Sequence, residues 1–168
     1  MIKLSLRKLT NTADTIVLGE VENIQCEWSM DKSTILTIVT LRIHEILKGD
    51  FYGTQILIQH PGGKIGDIGL EVSDMPTFQT KERVLVFLKS IINITDTKNS
   101  PTVSLNLLPS FSVFGWAQGK YSIDSNEMAH KSGYELISED REQDETLSLT
   151  DLKTKIYSII QQDSNEKK

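Results

Sequence analysis

The fold of this chain is most constrained by one long run of alternating residues, from Thr34 to Leu47. Apolar and β-branched residues recur there at every second position, which is the spacing that places side chains on one face of a strand. Strands usually have about 5–6 residues, so a run of this length predicts a strand that bends strongly and belongs to two parts of a curled sheet. The residues that share its first face are Ile35, Thr37, Val39, Leu41 and Ile43.

Shorter segments with strand patterns lie on both sides of this run. Residues 83–89 form a nearly continuous apolar stretch between charged ends, which is typical of a central strand buried on both faces. The glycine-rich residues 61–69 predict a loop or a loose hairpin. The other predicted strands are residues 15–26, 54–60 and 102–108, with a further strand pair within 113–124.

Amphipathic helices are predicted at both ends of the chain. The first covers residues 4–12 with Ser5 as its N-cap, and the second covers about 148–162 with Ser148 as its N-cap. Residues 161–168 are expected to fray. The sequence therefore predicts a mainly β fold with flanking helices, in which five or six strands form a small curled barrel. The apolar stripe of the second helix consists of Leu149, Leu152, Ile156, Ile159 and Ile160.

Length and charge bear on the number of domains and on the class of partner. A chain of 168 residues falls in the usual range for one domain, so residues 1–168 are predicted to form a single domain. The barrel is expected at about 13–124, followed by a polar excursion at 125–146 that carries an acidic cluster at 139–145. With 18 basic and 23 acidic residues the net charge is −5, which disfavours non-specific binding to nucleic acid. Deleting 139–145 is expected to leave the fold intact.

No motif of catalysis or metal binding stands out. The three histidines lie in different segments without ligand spacing, and Cys26 is the only cysteine, so it cannot form a disulfide within the chain. Pro61 to Lys64 lacks the spacing of a phosphate-binding loop. The sequence thus indicates no catalytic residue, no metal and no cofactor. The alternative is a metal-dependent or other hydrolase whose site assembles only in three dimensions, with His44, His60 and acidic residues as members.

Two segments are the candidate binding surface. The first is the loop that begins at His60, because its glycines and lysine lie between two predicted strands. The second contains tryptophan beside polar residues, since an exposed tryptophan is a frequent anchor of binding surfaces. Trp28 shares this property but lies in a predicted hairpin turn. The candidate residues are His60, Gly62, Gly63, Lys64, Trp116 and Gln118.

An ordered set of motifs resembles a known family. The motifs are Ala13–Val21, the long strand that ends in Leu47-Lys48-Gly49, residues 65–72 and residues 82–88. In this order they are similar to the netrin-like module, including the N-terminal domains of tissue inhibitors of metalloproteinases. They are also similar to a group of prokaryotic proteins, often exported, that carry A-D-x-V-x-G-x-V, L-K-G, P-G-G and G-x-A-Q-G-K; residues 115–120 match the last.

This resemblance covers about residues 10–124 and implies a five-stranded OB-type barrel, closed or partly open. The inhibitors bind the zinc of a protease through an N-terminal cysteine and contain several disulfides. This chain begins with Met1 and has no cysteine before Cys26, so that mechanism does not carry over.

The function expected from these features is a non-catalytic binding module whose partner is another protein. Residues 1–9 do not form a signal peptide, and no apolar stretch is long enough to span a bilayer. The resemblance favours an exported protein with its leader removed over a cytoplasmic one. Binding of single-stranded nucleic acid or oligosaccharide on an OB face is a further alternative, and the oligomeric state is not predicted.

Overall fold

The computed structural model describes residues 2–91, 108–132 and 146–167, and these contain two α-helices, ten strands and one 3-10 turn. The helices are α1 (Leu6–Thr12) and α2 (Leu149–Glu166), and the 3-10 turn is Trp116–Gly119. The long strands are β1 (Thr15–Trp28), β2 (Ile35–Lys48), β3 (Gln55–Pro61) and β6 (Arg83–Ser90). The short strands are β4 (Gly63–Ile65), β5 (Ile68–Leu70), β7 (Ser110–Val113), β8 (Lys120–Ile123), β9 (Met128–Lys131) and β10 (Thr146–Ser148).

The strands β1, β2 and β3 form an antiparallel meander, and β6 pairs with the first half of β1. β7 is antiparallel to β6 and parallel to β3. The pairings therefore lead from β1 through β2, β3, β7 and β6 back to β1. β8, β9 and β10 extend the sheet from β6, and β4 and β5 form a separate two-stranded hairpin.

The predicted long strand is confirmed as β2, and its first half, Leu36 to Arg42, also pairs with β3. It pairs along its length with β1, whose pairing with β6 ends at Glu20 opposite Arg83. Register shifts interrupt the β1–β2 ladder, which allows these strands to bend. One shift lies at Gly19, where a Cβ atom would come 2.4 Å from the backbone oxygen of Arg42.

Two apolar clusters lie on opposite faces of β6, which confirms that this strand is buried on both sides. Leu85 and Phe87 belong to the cluster that contains residues of α1 and α2, and Val84 and Val86 belong to the cluster that contains residues of β1, β2, β3 and β7. All four side chains are fully buried. The helices therefore pack on one face of β6, and a second core lies on its other face.

Both predicted helix caps are present. The Ser5 hydroxyl accepts a hydrogen bond from the Lys8 N–H at 3.1 Å, and the Ser148 hydroxyl accepts one from the Asp151 N–H at 3.1 Å. The expected fraying from residue 161 is wrong, because α2 continues to Glu166. Its last turns are tied to α1: the Gln162 side-chain oxygen accepts a hydrogen bond from Arg7 at 2.7 Å.

The predicted strand pair within 113–124 is also wrong. Two strands exist, β7 and β8, but they flank the 3-10 turn and each pairs with β6. The residues that leave β7 turn sharply because Gly115 and Trp116 both have left-handed backbones, with φ of 74° and 56°. A strand through this segment would need a backbone that these two residues do not adopt.

The polar excursion expected at 125–146 contains sheet structure. β9 pairs with β8, and β10 pairs with β9, so Met128–Lys131 and Thr146–Ser148 belong to the main sheet. The acidic cluster at 139–145 and residues 102–107 of a predicted strand lie outside the described residues. Neither helix of the described chain is long and apolar enough to cross a membrane.

Candidate functional site

His60 and Trp116, which come from the two predicted binding segments, line one pocket. Its volume is about 330 Å³. It lies where β3 and β7 separate, since their pairing ends at Ile58 and Phe111 while the strands continue to Pro61 and Val113. The lining residues are Gln59, His60, Pro61, Val72, Met75, Pro76, Ser112, Val113 and Trp116.

A second pocket of about 370 Å³ shares Trp116 with the first. Trp116 lines both pockets, and at 51% exposure it is also open to solvent. We call the two pockets together with this side chain the Trp116 surface. The lining residues of the second pocket are Ile2, Leu4, Lys89, Ser112, Val113, Phe114, Gly115, Trp116 and Gln118.

The backbone of Trp116 is strained. Its φ of 56° is uncommon for a residue with a side chain, and such conformations cost on the order of 1–3 kcal/mol. Hydrogen bonds on both sides hold it in place. The Ala117 N–H donates to the Asp74 oxygen at 2.9 Å, and the Gln118 N–H donates to the Gly115 oxygen at 3.1 Å. These hydrogen bonds thus hold an exposed tryptophan in a backbone conformation that is unfavourable for a residue with a side chain.

Gln118, predicted to belong to the binding surface, lines the second pocket and is almost fully buried. Its side chain is 1% exposed. The amide oxygen accepts a hydrogen bond from the Leu4 N–H at 2.7 Å, and the amide nitrogen donates to the Ile2 oxygen at 2.9 Å. Gln118 therefore holds the N-terminal residues against the second pocket.

The other candidate residues of the first segment, Gly62, Gly63 and Lys64, do not line the Trp116 surface. Gly62 and Gly63 form the turn from β3 into β4, with φ of 104° and 133°. Gly63 leaves no room for a side chain, because a Cβ atom would lie 2.6 Å from the Cys26 sulfur. Lys64 is exposed on β4 and does not line the Trp116 surface. Only His60 of this group reaches the pocket.

His60 is held in place by an aromatic stack. Its ring lies 6.3 Å from the Phe78 ring, at an angle of 25°, and its Nδ1 is 3.0 Å from the Pro61 oxygen. The Lys120 ammonium lies 4.9 Å from the centre of the same Phe78 ring. The segment between β5 and β6 is thus packed between the pocket and β8.

Beneath Phe78 lies a buried ion pair that the sequence did not indicate. Lys120 is 3% exposed, and its Nζ lies 2.8 Å from Oε1 of Glu82. The same ammonium donates to the Thr77 oxygen, and the Ser122 hydroxyl donates to Glu82 at 2.6 Å. This cluster ties the segment that leads into β6 to β8. Its sequence signal was the lysine that ends the G-x-A-Q-G-K motif.

No three histidine, cysteine or carboxylate side chains in residues 2–91, 108–132 and 146–167 are close enough to share a metal ion. His130 is paired with Asp124 at 2.7 Å, and this hydrogen bond holds the pKa of the Asp124 carboxyl below its usual value. Cys26 is half-buried, with its sulfur 3.6 Å from the Thr37 hydroxyl. Trp28 is 41% exposed in β1 and does not line the Trp116 surface.

No protein-family model and no protein of curated function matches this sequence. The geometry of the Trp116 surface is therefore the basis for a functional assignment.

Proposed function

We propose that this protein is a non-catalytic module that binds another protein through the Trp116 surface. The observation that carries the proposal is an aromatic side chain, half exposed, held by a strained backbone between two largely apolar pockets. Tryptophan is among the residues most enriched at the energetic centres of protein interfaces, because it offers a large apolar area and a polar N–H.

A macromolecular partner suits this surface better than a small ligand does. Pockets for small molecules enclose most of the ligand surface. Here Trp116 stands between two pockets and is itself exposed, so the recognition surface is broad and has a central ridge. A partner with two apolar side chains could fill both pockets and cover the indole between them.

We further propose that the five paired strands form an OB-type barrel of the netrin-like kind. Two observations support this: the pairings of β1, β2, β3, β7 and β6 lead back to β1, and β3 and β7 are parallel. Two residues of the motifs that resemble the netrin-like module also join separate elements of this fold. Asp14, before β1, accepts a hydrogen bond from the N–H of Ser90 at the end of β6 at 2.9 Å. Lys48 donates to the Thr10 oxygen near the end of α1 at 2.7 Å.

The proposal is tested by comparing three immobilised proteins, wild type, Trp116→Ala and Trp28→Ala, for capture of proteins from the native cell extract. Both tryptophans are exposed to a similar degree, so Trp28→Ala controls for loss of an aromatic side chain as such. We expect at least one captured protein to be lost only with Trp116→Ala. With that partner purified, the dissociation constant should rise roughly 30-fold, corresponding to a hot-spot loss of about 2 kcal/mol.

Equal capture by all three proteins would contradict the proposal. Thermal melting of each variant checks that the comparison is between folded proteins. No specific observation among the described residues favours the hydrolase or the nucleic-acid alternative.

A further inference from the structure

The second half of β1 is an open edge of the main sheet. β6 pairs with β1 only up to Glu20, and Glu82, just before β6, accepts a hydrogen bond from the Val21 N–H at 2.9 Å. Beyond the register shift that follows Val21, β1 pairs with β2 alone from Asn23 to Trp28. We call this part of β1 the open edge, because no described residue pairs with its other side.

The backbone groups that point out of the open edge follow from the turn that joins β1 to β2. The Ser29 N–H donates to the Thr34 oxygen at 2.9 Å, so these two residues form a hydrogen-bonded pair of the ladder. Hydrogen-bonded and non-hydrogen-bonded pairs alternate along an antiparallel ladder. The N–H and C=O groups of Ile24, Cys26 and Trp28 therefore point away from β2, and no described residue bonds to them.

The open edge lacks the features that usually protect such an edge. Lysine, proline or a covering segment prevents most exposed strands from pairing with another chain. Residues 23–29 contain neither lysine nor proline. β4 covers the face of β1 rather than its edge, since a Cβ atom at Gly63 would meet the sulfur of Cys26 and the hydroxyl of Thr37 on β2. The edge is thus available for a further strand, and it ends in the exposed Trp28.

We propose that this chain forms a symmetric dimer in which the open edges of two copies pair antiparallel about a two-fold axis at Cys26. In this register the backbone of Cys26 bonds to that of Cys26 in the second copy, and the backbone of Ile24 bonds to that of Trp28. On one face the exposed Trp28 indole covers the half-buried Ile24 of the second copy. The contact closes at two copies, because the same surface is used by both.

The exposed side chains of the open edge are complementary to a second copy of themselves. With the axis at Cys26, Gln25 of each copy lies opposite Glu27 of the other. Both side chains are exposed, and neither bonds to another described residue. An amide N–H donates to a carboxylate, and such cross-strand pairs stabilise a sheet. An axis at Gln25 would instead place Trp28 opposite Glu22 and lose the contact with Ile24.

The test measures the dimer dissociation constant of the full chain by sedimentation equilibrium over a wide range of concentrations. Wild type should change from monomer to dimer as the concentration rises. Gln25→Glu places a like charge opposite Glu27 at two positions of the interface, so the Kd should rise about tenfold. Gln161→Glu is the matched control, because it adds the same charge at an exposed position of α2 and should leave the Kd unchanged.

An exchange of the two side chains tests the register. Gln25→Glu combined with Glu27→Gln keeps the composition and net charge of wild type, and it restores an amide opposite each carboxylate. Its Kd should therefore return to within about twofold of the wild-type value. Both positions are exposed on the strand, and thermal melting shows whether each variant is as stable as wild type.

A protein that remains monomeric at every concentration would overturn the inference, and so would assemblies that grow beyond two copies. A dimer that Gln25→Glu does not weaken, or that the exchange does not restore, would also overturn it. The inference is independent of the proposed function, because no residue of the open edge lines the Trp116 surface. Trp28→Ala retains that surface whether one or two copies are present.

Discussion

Removing either partner of the buried Lys120–Glu82 ion pair should lower the free energy of unfolding, and the two losses should differ. We consider two single substitutions, Glu82→Gln and Lys120→Met. Each removes one charge and approximately keeps the side-chain volume. Because the lysine is 3% exposed and the glutamate side chain is 18% exposed, the charge left behind meets a different environment in each variant.

In Glu82→Gln, an ammonium group remains that water can hardly reach. It keeps the Thr77 oxygen as an acceptor but loses its counter-charge. Removing one partner of a buried pair costs about 3–5 kcal/mol, and we expect roughly 3 kcal/mol because this acceptor remains. In Lys120→Met, the carboxylate keeps the Ser122 hydroxyl and the Gln79 N–H at 2.9 Å and can gain water, so we expect about 1–2 kcal/mol.

Urea unfolding at pH 7 of wild type and both variants measures these differences, with the slope of each transition checked for constancy. For a chain of this size, 1 kcal/mol corresponds to about 2–4 °C in Tm, so Glu82→Gln should melt roughly 6–12 °C below wild type. A loss for Lys120→Met equal to or larger than that for Glu82→Gln would refute the reasoning, since it would mean that the buried ammonium does not need its counter-charge.

Two further predictions concern the turns. Gly63→Ala should lower the free energy of unfolding by roughly 2–3 kcal/mol, measured with urea, because the added Cβ meets the Cys26 sulfur and the backbone has a φ of 133°. Gly66→Ala is the control and should cost less, because no atom lies within 4 Å of its added Cβ. Equal losses in the two variants would contradict the steric argument. Hydrogen bonds from Ser33 and Ser29 lower the pKa of Asp31 from its usual value to about 2. Its contribution to stability is therefore present above pH 4 and is lost as the pH falls towards 2. Asp31→Asn should reduce the change in Tm across this pH interval; an unchanged profile would show that the turn does not stabilise the fold.

Much of the framework could be predicted because local sequence and tertiary environment agree there. In β2 the alternation in sequence matches the alternation of faces, and in β6 a continuous apolar run matches burial by two separate cores. The serines at the helix starts act through the adjacent backbone, so their role depends on a few neighbouring residues. For such features, local pattern is sufficient.

The candidate site was less predictable because distant residues determine it. Gln118 and Leu4 are 114 residues apart in sequence, and no local pattern indicates that the Gln118 amide bonds to residues near the start of the chain. The aromatic residues within 113–124 favour a strand, but two successive left-handed residues override that preference. Gly115 and Gly119, on either side of Trp116 in sequence, were a signal of a tight turn. At Gly119 a Cβ atom would lie 2.0 Å from the Phe114 oxygen.

The G-x-A-Q-G-K motif indicates which residue of this surface the framework leaves free to vary. Gly119 is needed for close backbone approach, Gln118 bonds to the backbone of Ile2 and Leu4, and Lys120 forms the buried ion pair. Gly115 also has no space for a side chain, because a Cβ atom would lie 2.6 Å from Leu4. Trp116 is the most exposed residue of the motif, and its backbone strain would be relieved by glycine rather than by tryptophan. The indole is thus not what the turn requires, which is the physical reason to seek the binding partner at Trp116.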